Sequence, residues 1–518
     1  MKSLIVMLIL LFGSIGFTRS QSYFNYRFEF GQTGWWDGAT NIFQLPDGFV
    51  IGGGYSFYGP MKLGFYKIDF LGNKIFSKII SDTADEFYLG NPGSIARLND
   101  SMVVASGSRN SPAPGWGHQE GLVYFFDNNF DTLFTRYFGD KSPPVDTAIQ
   151  FRQIKVISGN EIILVGGQLP QNSKTAILLM KIDRNGNKIW SKKYGYGSCY
   201  EGSSVILTSD NGFAIGGYTY DFLPPPNLTG DPVVYKTDSA GNFKWSFNYG
   251  TPNIDTPGML SSTQDGKMVL GFAYCDSMSG GGPSAEGAPF RRINLIKIDN
   301  DGNVIWNKKY GISEYDKTLY NIRENQDGTL ISTGITTIRG ETYYKYAGWL
   351  LKTSPDGDSL WYRQYEICEG QSLWNWLYDA IETPDKGYLS CGVVYPQIPD
   401  TGSQDGWILK VDSLGCESLN YCWVGLENIP IPSENDGIEI YPNPGKEFIN
   451  VHFHLPNENL QLLVTLCDFT GRIVRMGDLH TSNKEMRFDV SLLPRGLYIL
   501  HITESSGQTV SSKKIIII

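Results

Sequence analysis

Lys181-Ile-Asp183-Arg-Asn-Gly-Asn-Lys-Ile-Trp190 decides the fold, because the same phrase returns along the chain. An apolar strand ends in Lys-x-Asp, a Gly-Asn-type turn follows, and a Trp or its equivalent stands seven residues after the Asp position. Asp238 with Trp245, Asp299 with Trp306 and Ser354 with Trp361 repeat it clearly. Asp69 with Phe76, Asp127 with Phe134 and Asp412 with Leu419 repeat it more weakly. That makes seven copies, spaced by 58, 56, 55, 61, 55 and 58 residues. A repeat of this length is the first thing to look for, since it signals an array of supersecondary units. Upstream of each copy lie an apolar strand, a turn such as Pro46-Asp-Gly48 or Asp210-Asn-Gly212, and a small-residue strand. After the Trp a fourth strand closes at Tyr-Gly, as at Tyr194, Tyr249 and Tyr310.

Four short strands per unit with tight turns predict a β-propeller blade, and seven copies predict a seven-bladed β-propeller. The seventh copy lacks a clear fourth strand between Cys416 and Trp423. Phe24-Asn-Tyr-Arg-Phe-Glu-Phe-Gly31 resembles Trp190-Ser-Lys-Lys-Tyr-Gly195, so the N-terminal strand is expected to complete the last blade and remove its open edge. Connections one-to-two and three-to-four form a face of short turns. The opposite face receives longer segments, 109–119, 218–231, 274–291, 336–348 and 394–405, and variable loops on a rigid scaffold are where recognition is placed.

Composition narrows the function classes. The chain has 518 residues, 41% hydrophobic, 14% aromatic and 19% charged, with 59 glycines and 26 prolines. This is an all-β, turn-rich chain able to bury a core, without a collagen period. A net charge of −10 argues against nucleic-acid binding, which needs a clustered basic surface. Of five histidines only His118 precedes residue 450, which argues against a histidine-rich metal site or a Ser-His-Asp triad in the main body.

Both ends carry export signals. Lys2, an apolar run from Leu4 to Phe17 and Thr18-Arg19-Ser20 predict a signal peptide over 1–20, too short to span a bilayer, and no later stretch reaches membrane-spanning length. Residues 21–424 are assigned to the propeller, 425–437 to a Pro-containing linker and 438–518 to a small immunoglobulin-like β-sandwich. Seven cysteines in an oxidising compartment suggest a bridge between Cys416 and Cys422, with Cys368 and Cys391 a weaker pairing.

In the last segment, Tyr441-Pro442-Asn443-Pro444, Asp468-Phe-Thr-Gly471-Arg472, Leu493-Pro-Arg-Gly496-Leu497-Tyr498 and Lys513-Lys514-Ile-Ile-Ile-Ile518 occur in order. They resemble the C-terminal type A sorting domain of the Bacteroidetes type IX secretion system. The resemblance implies a secreted Bacteroidetes β-propeller repeat protein, handled by the type IX machinery and attached at the outer-membrane cell surface.

Chemistry is less legible. Asp183, Asn185 and Asn187, like Asp299, Asp301 and Asn303, have the look of half a calcium loop, but no closing Glu follows and Asn-Gly is a hairpin signal, so the expectation is a turn and no cofactor, with Ca2+ the alternative. Ser354-Pro-Asp-Gly-Asp-Ser-Leu-Trp361 is similar to the Asp-box of sialidases, and Val234 to Phe247 to a quinoprotein-type repeat. Both motifs are structural in those families and imply no catalyst here. Asp37, Glu201 and Asp255 each stand 11 residues before a turn glycine, with Asp146 and Asp316 looser matches. They are candidate mouth carboxylates, as ligand contacts or as a pair for glycoside hydrolysis. The loop-side aromatics Trp35, Trp36, Trp116, Tyr196, Tyr200, Trp374 and Trp376 suit stacking on sugars or anchoring a protein. The sequence therefore reads as a non-catalytic binding or adhesion module for an extracellular glycan or protein, with no assigned catalytic residue. A glycan-active enzyme on the loop-rich face is the alternative.

Overall fold

The computed structural model describes residues 22–517 apart from 32–35, 57–58, 81–84, 112–117, 140–146, 159–160, 171–174, 196–198, 222–228, 252, 280–287, 312–315, 340–343, 368–373, 397–402, 419–437, 454–460, 469–472, 481–484 and 505–508. Two compact units divide the chain, 1–425 and 426–518. Every regular element among the described residues is a β-strand.

The repeated phrase folds as an Asx turn. Asp183 Oδ1 accepts the N–H groups of Asn185 and Asn187 at 2.9 and 2.8 Å, while its Oδ2 accepts Asn187 Nδ2 at 2.9 Å. Asp69, Asp238 and Asp299 repeat all three bonds. The glycine before the Asn sits at φ +78 in this turn, a conformation that only glycine adopts without a Cβ penalty. The turn itself therefore uses both oxygens of the carboxylate that suggested a calcium loop.

The Lys of Lys-x-Asp has an equally local reason. Its ammonium reaches back to the acid of the first turn: Lys67–Asp47 2.8 Å, Lys236–Asp210 2.7 Å, Lys297–Asp265 3.0 Å and Lys410–Asp385 3.0 Å. In the third copy Glu161 takes the acid's place, 2.8 Å from Lys181. These lysines lie along buried strands, so a fixed counter-charge is what makes the position tolerable. The two halves of the sequence repeat thus pin the short turns at one end of each sheet.

The first unit is a succession of four-stranded antiparallel sheets. Trp36–Leu45, Gly48–Ser56, Lys62–Ile68 and Lys74–Ile80 pair in chain order, and sheets of the same order start at Thr147, Cys199 and Met259; the strands from Lys317 pair in the same order and are joined to Trp374–Glu382 by a parallel bridge between Tyr346 and Trp374. Near residue 90 the first strand is split, Glu86–Leu89 and Ile95–Asn99 both pairing with Met102–Ser111. The second and third strands bury both faces while the fourth are more exposed, and the hydrophobic clusters are shared between successive sheets; Ile163, Val165 and Leu179 of one pack with Val205, Phe213 and Val233 of the next. The first strands touch in the order Trp36–Leu45, Ile95–Asn99, Thr147–Ser158, Cys199–Leu207, Met259–Ser262, Lys317–Glu324, Trp374–Glu382, and the last touches Trp36–Leu45 again. This is the β-propeller plan.

Polar side chains stitch neighbouring first strands together. Their register slips between Ala39 and Asn41, Phe151 and Gln153, Gly202 and Ser204, Leu319 and Asn321, and Leu377 and Asp379. The residue after the slip reaches the next sheet. Asn41 Oδ1 accepts Ser94 N–H at 3.1 Å, Gln153 Oε1 accepts Val205 N–H at 2.7 Å, Ser204 Oγ accepts Leu260 N–H at 2.9 Å, and Asp379 Oδ2 accepts Ile42 N–H at 2.9 Å. A bulge turns the side chain out of its own ladder, which frees it for this use.

Further out, the fourth strand of one sheet packs on the Asx turn of the next. Tyr194, Tyr310 and Tyr365 donate their hydroxyls to the carbonyls of Gly241, Gly357 and Gly415 at 2.6, 2.6 and 2.8 Å. A Cβ at Gly241 would come within 2.9 Å of the Trp190 ring, so the repeat's Trp and Gly are fitted to each other. The strand Phe24–Phe28 pairs antiparallel with Asp405–Val411, Tyr26 donates to Gly72 O at 2.9 Å, and Phe24 lies over Gly72.

The expectation of irregular loops on the second face needs correction. Met268–Ser279 and Ala288–Ile298 stay paired out to Ser279 and Ala288, and Leu330–Arg339 with Tyr344–Thr353 out to Arg339 and Tyr344. The second and third strands run on as ribbons, and only their tips, such as 280–287 and 340–343, fall outside the described residues. Cys416 is disulfide-bonded, and Cys422 lies outside the described residues. Cys391 is buried as a free thiol, which removes the Cys368–Cys391 pairing.

In the second unit, a sheet of Ile438–Tyr441, Phe448–Phe453 and Glu485–Asp489 and a sheet of Ile473–His480, Gln461–Asp468, Gly496–Glu504 and Thr509–Ile517 share one core. Val451, Phe488, Val464, Leu500 and Ile515 fill it.

Candidate functional site

The connections opposite the short turns leave an aromatic strip on the last sheet. Trp374, Trp376 and Tyr378 alternate along Trp374–Glu382 with buried Asn375, Leu377 and Asp379, so the three rings share one half-buried face. Trp374 and Trp376 stack with centroids 4.9 Å apart and planes 13° from parallel. Tyr346 meets Trp376 at 6.1 Å, Tyr395 meets Trp374 at 5.7 Å, and Tyr320 carries the strip inward by lying 4.7 Å from Tyr378. Trp376 Nε1 is buried without an acceptor among the described residues. Trp36 is 48% exposed and begins the neighbouring first strand, bridged to Gln404 of the last sheet. Tyr200 instead packs against Tyr235 and Gly195, in the wall between two sheets. Trp35, Trp116 and Tyr196 lie outside the described residues.

Of the carboxylates singled out by spacing, Glu201, Asp255 and Asp316 are engaged by the protein and Asp37 through one oxygen. Asp37 is 0% exposed; Phe30 N–H reaches its Oδ1 at 2.9 Å, and its Oδ2 has no partner. Burial pushes its carboxyl up to about 7, against the Phe30 hydrogen bond, with Glu29 and Asp405 adding to the rise. Asp255 is buried and receives the N–H groups of Thr251 and Cys275 at 2.5 and 2.6 Å. Glu201 holds Arg152 Nε at 2.5 Å, and Asp316 grips Arg291 through two bonds of 2.8 and 2.7 Å. Asp146 lies outside the described residues. The sequence reading missed the arginines. Arg109 on Asp85 and Arg27 on Asp405 repeat the pattern at 2.6 and 2.7 Å. No common separation marks these pairs in the sequence: 24 residues for Asp85/Arg109, 25 in the reverse order for Arg291/Asp316, 49 for Arg152/Glu201 and 378 for Arg27/Asp405.

In the second unit the sorting motifs sit at one end of the sandwich. Asn443 Oδ1 accepts Ile516 N–H at 2.9 Å, Gly445 N–H reaches Ile516 O at 2.7 Å, and Tyr498 donates to Pro494 O at 2.6 Å. The Tyr441-Pro442-Asn443-Pro444 turn is thereby tied to the final strand, which carries Lys513 and Lys514, and to the pairing of Gly496, Leu497 and Tyr498 with Ile517, Ile516 and Ile515. Gly471 and Arg472 lie outside the described residues.

Residues 439–518 match the secretion system C-terminal sorting domain. The tail therefore marks an exported protein handled by the type IX secretion system, released or held at the outer-membrane cell surface. No helix among the described residues is long and apolar enough to cross a membrane. No curated protein matches the chain. Among solved structures, an α-L-arabinofuranosidase from Fusarium graminearum is 10% identical, covering 61% of this chain and 91% of its own, with a TM-score of 0.37. An α-L-arabinanase from Penicillium chrysogenum is 12% identical, covering 62% and 92%, with a TM-score of 0.36. A protein of unknown function from Dyadobacter fermentans is 13% identical, covering 57% and 88%, with a TM-score of 0.33. At these scores the likenesses carry no functional argument.

Proposed function

We propose that the exported body is a seven-bladed ring, closed by Phe24–Phe28 as the fourth strand of the last blade, that binds an extracellular glycan or protein without catalysis. The cyclic order of the first strands and the Tyr26–Gly72 contact support the ring. Phe24→Ala is expected to lower stability by about 2 kcal/mol, read from a urea transition, because its ring covers the seam between the last and first blades. The tail, on this reading, is an immunoglobulin-like sandwich.

The observation that carries binding is the stacked Trp374–Trp376 pair, prolonged by Tyr378 and Tyr320. Flat half-exposed rings in series suit sugar faces or a protein's apolar anchor, and the idle indole N–H of Trp376 suits a ligand oxygen. The test is a glycan-array and cell-surface screen of the full chain, with product analysis on each hit. Replacing Trp374 and Trp376 together with Ala should weaken a saturable hit by about 30-fold or more while the melting temperature holds. An unchanged affinity would sink the assignment.

A glycan-active enzyme is the second reading, favoured by Asp231 and Asp255. Burial, with Asp255 adding to it, raises the Asp231 carboxyl, and one Asp231 oxygen is buried without a partner. Asp255→Asn and Glu201→Gln should abolish turnover on that reading. The hydrogen bonds that fill Asp255 and the arginine on Glu201 favour binding instead.

A further inference from the structure

A cavity of about 370 Å³ opens where the N-terminal strand meets the first and last sheets. Arg27, Phe28 and Glu29 line it from the N-terminal segment, Tyr66 and Lys74 from the first sheet, and Asp405 from the last. The walls are fixed by contacts of their own. Phe24–Phe28 pairs with Asp405–Val411, Tyr26 is bonded to Gly72 O at 2.9 Å, and the Phe28 and Tyr66 rings lie 4.4 Å apart. A volume of this order lies in the range of small-molecule sites.

The charges around the cavity divide into one closed pair and two open ends. Asp405, its side chain 8% exposed, holds Arg27 through Nε at 2.7 Å and also through Nη2. That pair neutralises itself and serves as wall. Glu29 and Lys74 differ, since neither side chain makes a hydrogen bond or an ion pair among the described residues. Lys74 Nζ stands 5.1 Å over the Tyr66 ring. Burial and Asp405 raise the Glu29 carboxyl, with Arg27 opposing, so this acid gains from a further cation. A carboxylate and an ammonium that line one cavity without closing on each other complement a molecule bearing both opposite charges. The Phe28 and Tyr66 rings add apolar surface to the same wall.

We propose that this cavity binds a free α-amino acid with an apolar or aromatic side chain, its ammonium on Glu29, its carboxylate on Lys74 and its side chain against Phe28 and Tyr66. The site is separate from the Trp374–Trp376 strip and does not rest on the reading given there. Both contacts are charge-assisted, and together they discriminate against molecules that carry only one of the two charges. Within a peptide chain both charges are lost to amide bonds, so chain-interior residues are excluded.

The experiment titrates the full chain with L-leucine and L-phenylalanine, and with their N-acetyl and amide derivatives, by calorimetry and by melting temperature. Wild type should bind at least one of the two amino acids saturably. Acetylation removes the ammonium and amidation the carboxylate, so each derivative should bind at least tenfold more weakly. Glu29→Gln should lose at least tenfold in affinity and cease to favour the amino acid over its N-acetyl form. Lys74→Met should lose as much and cease to favour it over the amide. Neither side chain bonds another group among the described residues, so both variants are expected to fold, and their ligand-free melting temperatures check this. No saturable response to either amino acid overturns the site. Equal binding of a derivative by wild type, or undiminished affinity in either variant, overturns it as well. The Trp374→Ala, Trp376→Ala double variant should keep the full response, and its loss there would move the amino acid to the strip and overturn the cavity.

Discussion

Replacing Asp385 with Ala lowers the free energy of unfolding by about 3–5 kcal/mol, the cost of leaving a buried charge uncompensated. Its partner Lys410 has a side chain 1% exposed, and the carboxylate itself is 9% exposed. Without Asp385 the ammonium keeps, among the described residues, the Val411 carbonyl 3.0 Å away and the charge of Asp412. Thr383 Oγ1, which donates to Asp385 at 2.5 Å, and Ser22 N–H, which reaches it at 3.2 Å, lose their acceptor as well. Burial pulls the Lys410 ammonium below the usual lysine range, against Asp385. The check is a urea transition at unchanged slope. Adding Lys410→Met to Asp385→Ala should recover much of the loss, since the pair is then replaced by an apolar group. Asp358→Ala is the control, because Lys308–Asp358 joins side chains 42% and 71% exposed, and its loss should cost less than about 1 kcal/mol. Equal costs at the two positions would refute the buried-staple account of the Lys-x-Asp repeat.

Asp37→Asn has the opposite sign and depends on pH. The wild-type carboxyl moves from 3.8 to about 7 on folding, so between those values the folded state holds a proton that the unfolded chain has released. Stability then falls as pH rises from about 4 to about 7 and is flat above, by up to about 4 kcal/mol for a shift of roughly three units. Asn keeps the acceptor for Phe30 N–H and removes the charge. The variant should match wild type near pH 4, gain on it through pH 7, and hold its full advantage at pH 8. Denaturation curves at pH 4, 6 and 8 measure this, and a gap that does not vary with pH would show that Asp37 is not the group responsible.

Much of the architecture was written in short-range chemistry. The Asp-x-x-Gly-Asn phrase closes an Asx turn from within five residues, and the alternation at the end of Val304–Tyr310 requires nothing distant. Phe24 to Gly31 resembles Trp190 to Gly195 in the sequence, and Phe24–Phe28 pairs with Asp405–Val411. The acids at positions 37, 201 and 255 were found by equal spacing, and spacing cannot tell an exposed carboxylate from one whose oxygens are filled. Arg152 lies 49 residues from Glu201, and Asp385 lies 363 residues from Ser22, separations that only tertiary packing makes short.

Sequence by itself determined the strands, the turns, the repeat length and the export tail, since each rests on contacts within a few residues or on a contiguous motif. Tertiary structure alone decided which carboxylates are spent on arginines and backbone donors, and how the loop-side segments extend as ribbons. Those depend on which strands lie side by side within and between sheets. That is a property of packing, which brings together residues whose separation along the chain carries no periodic signal.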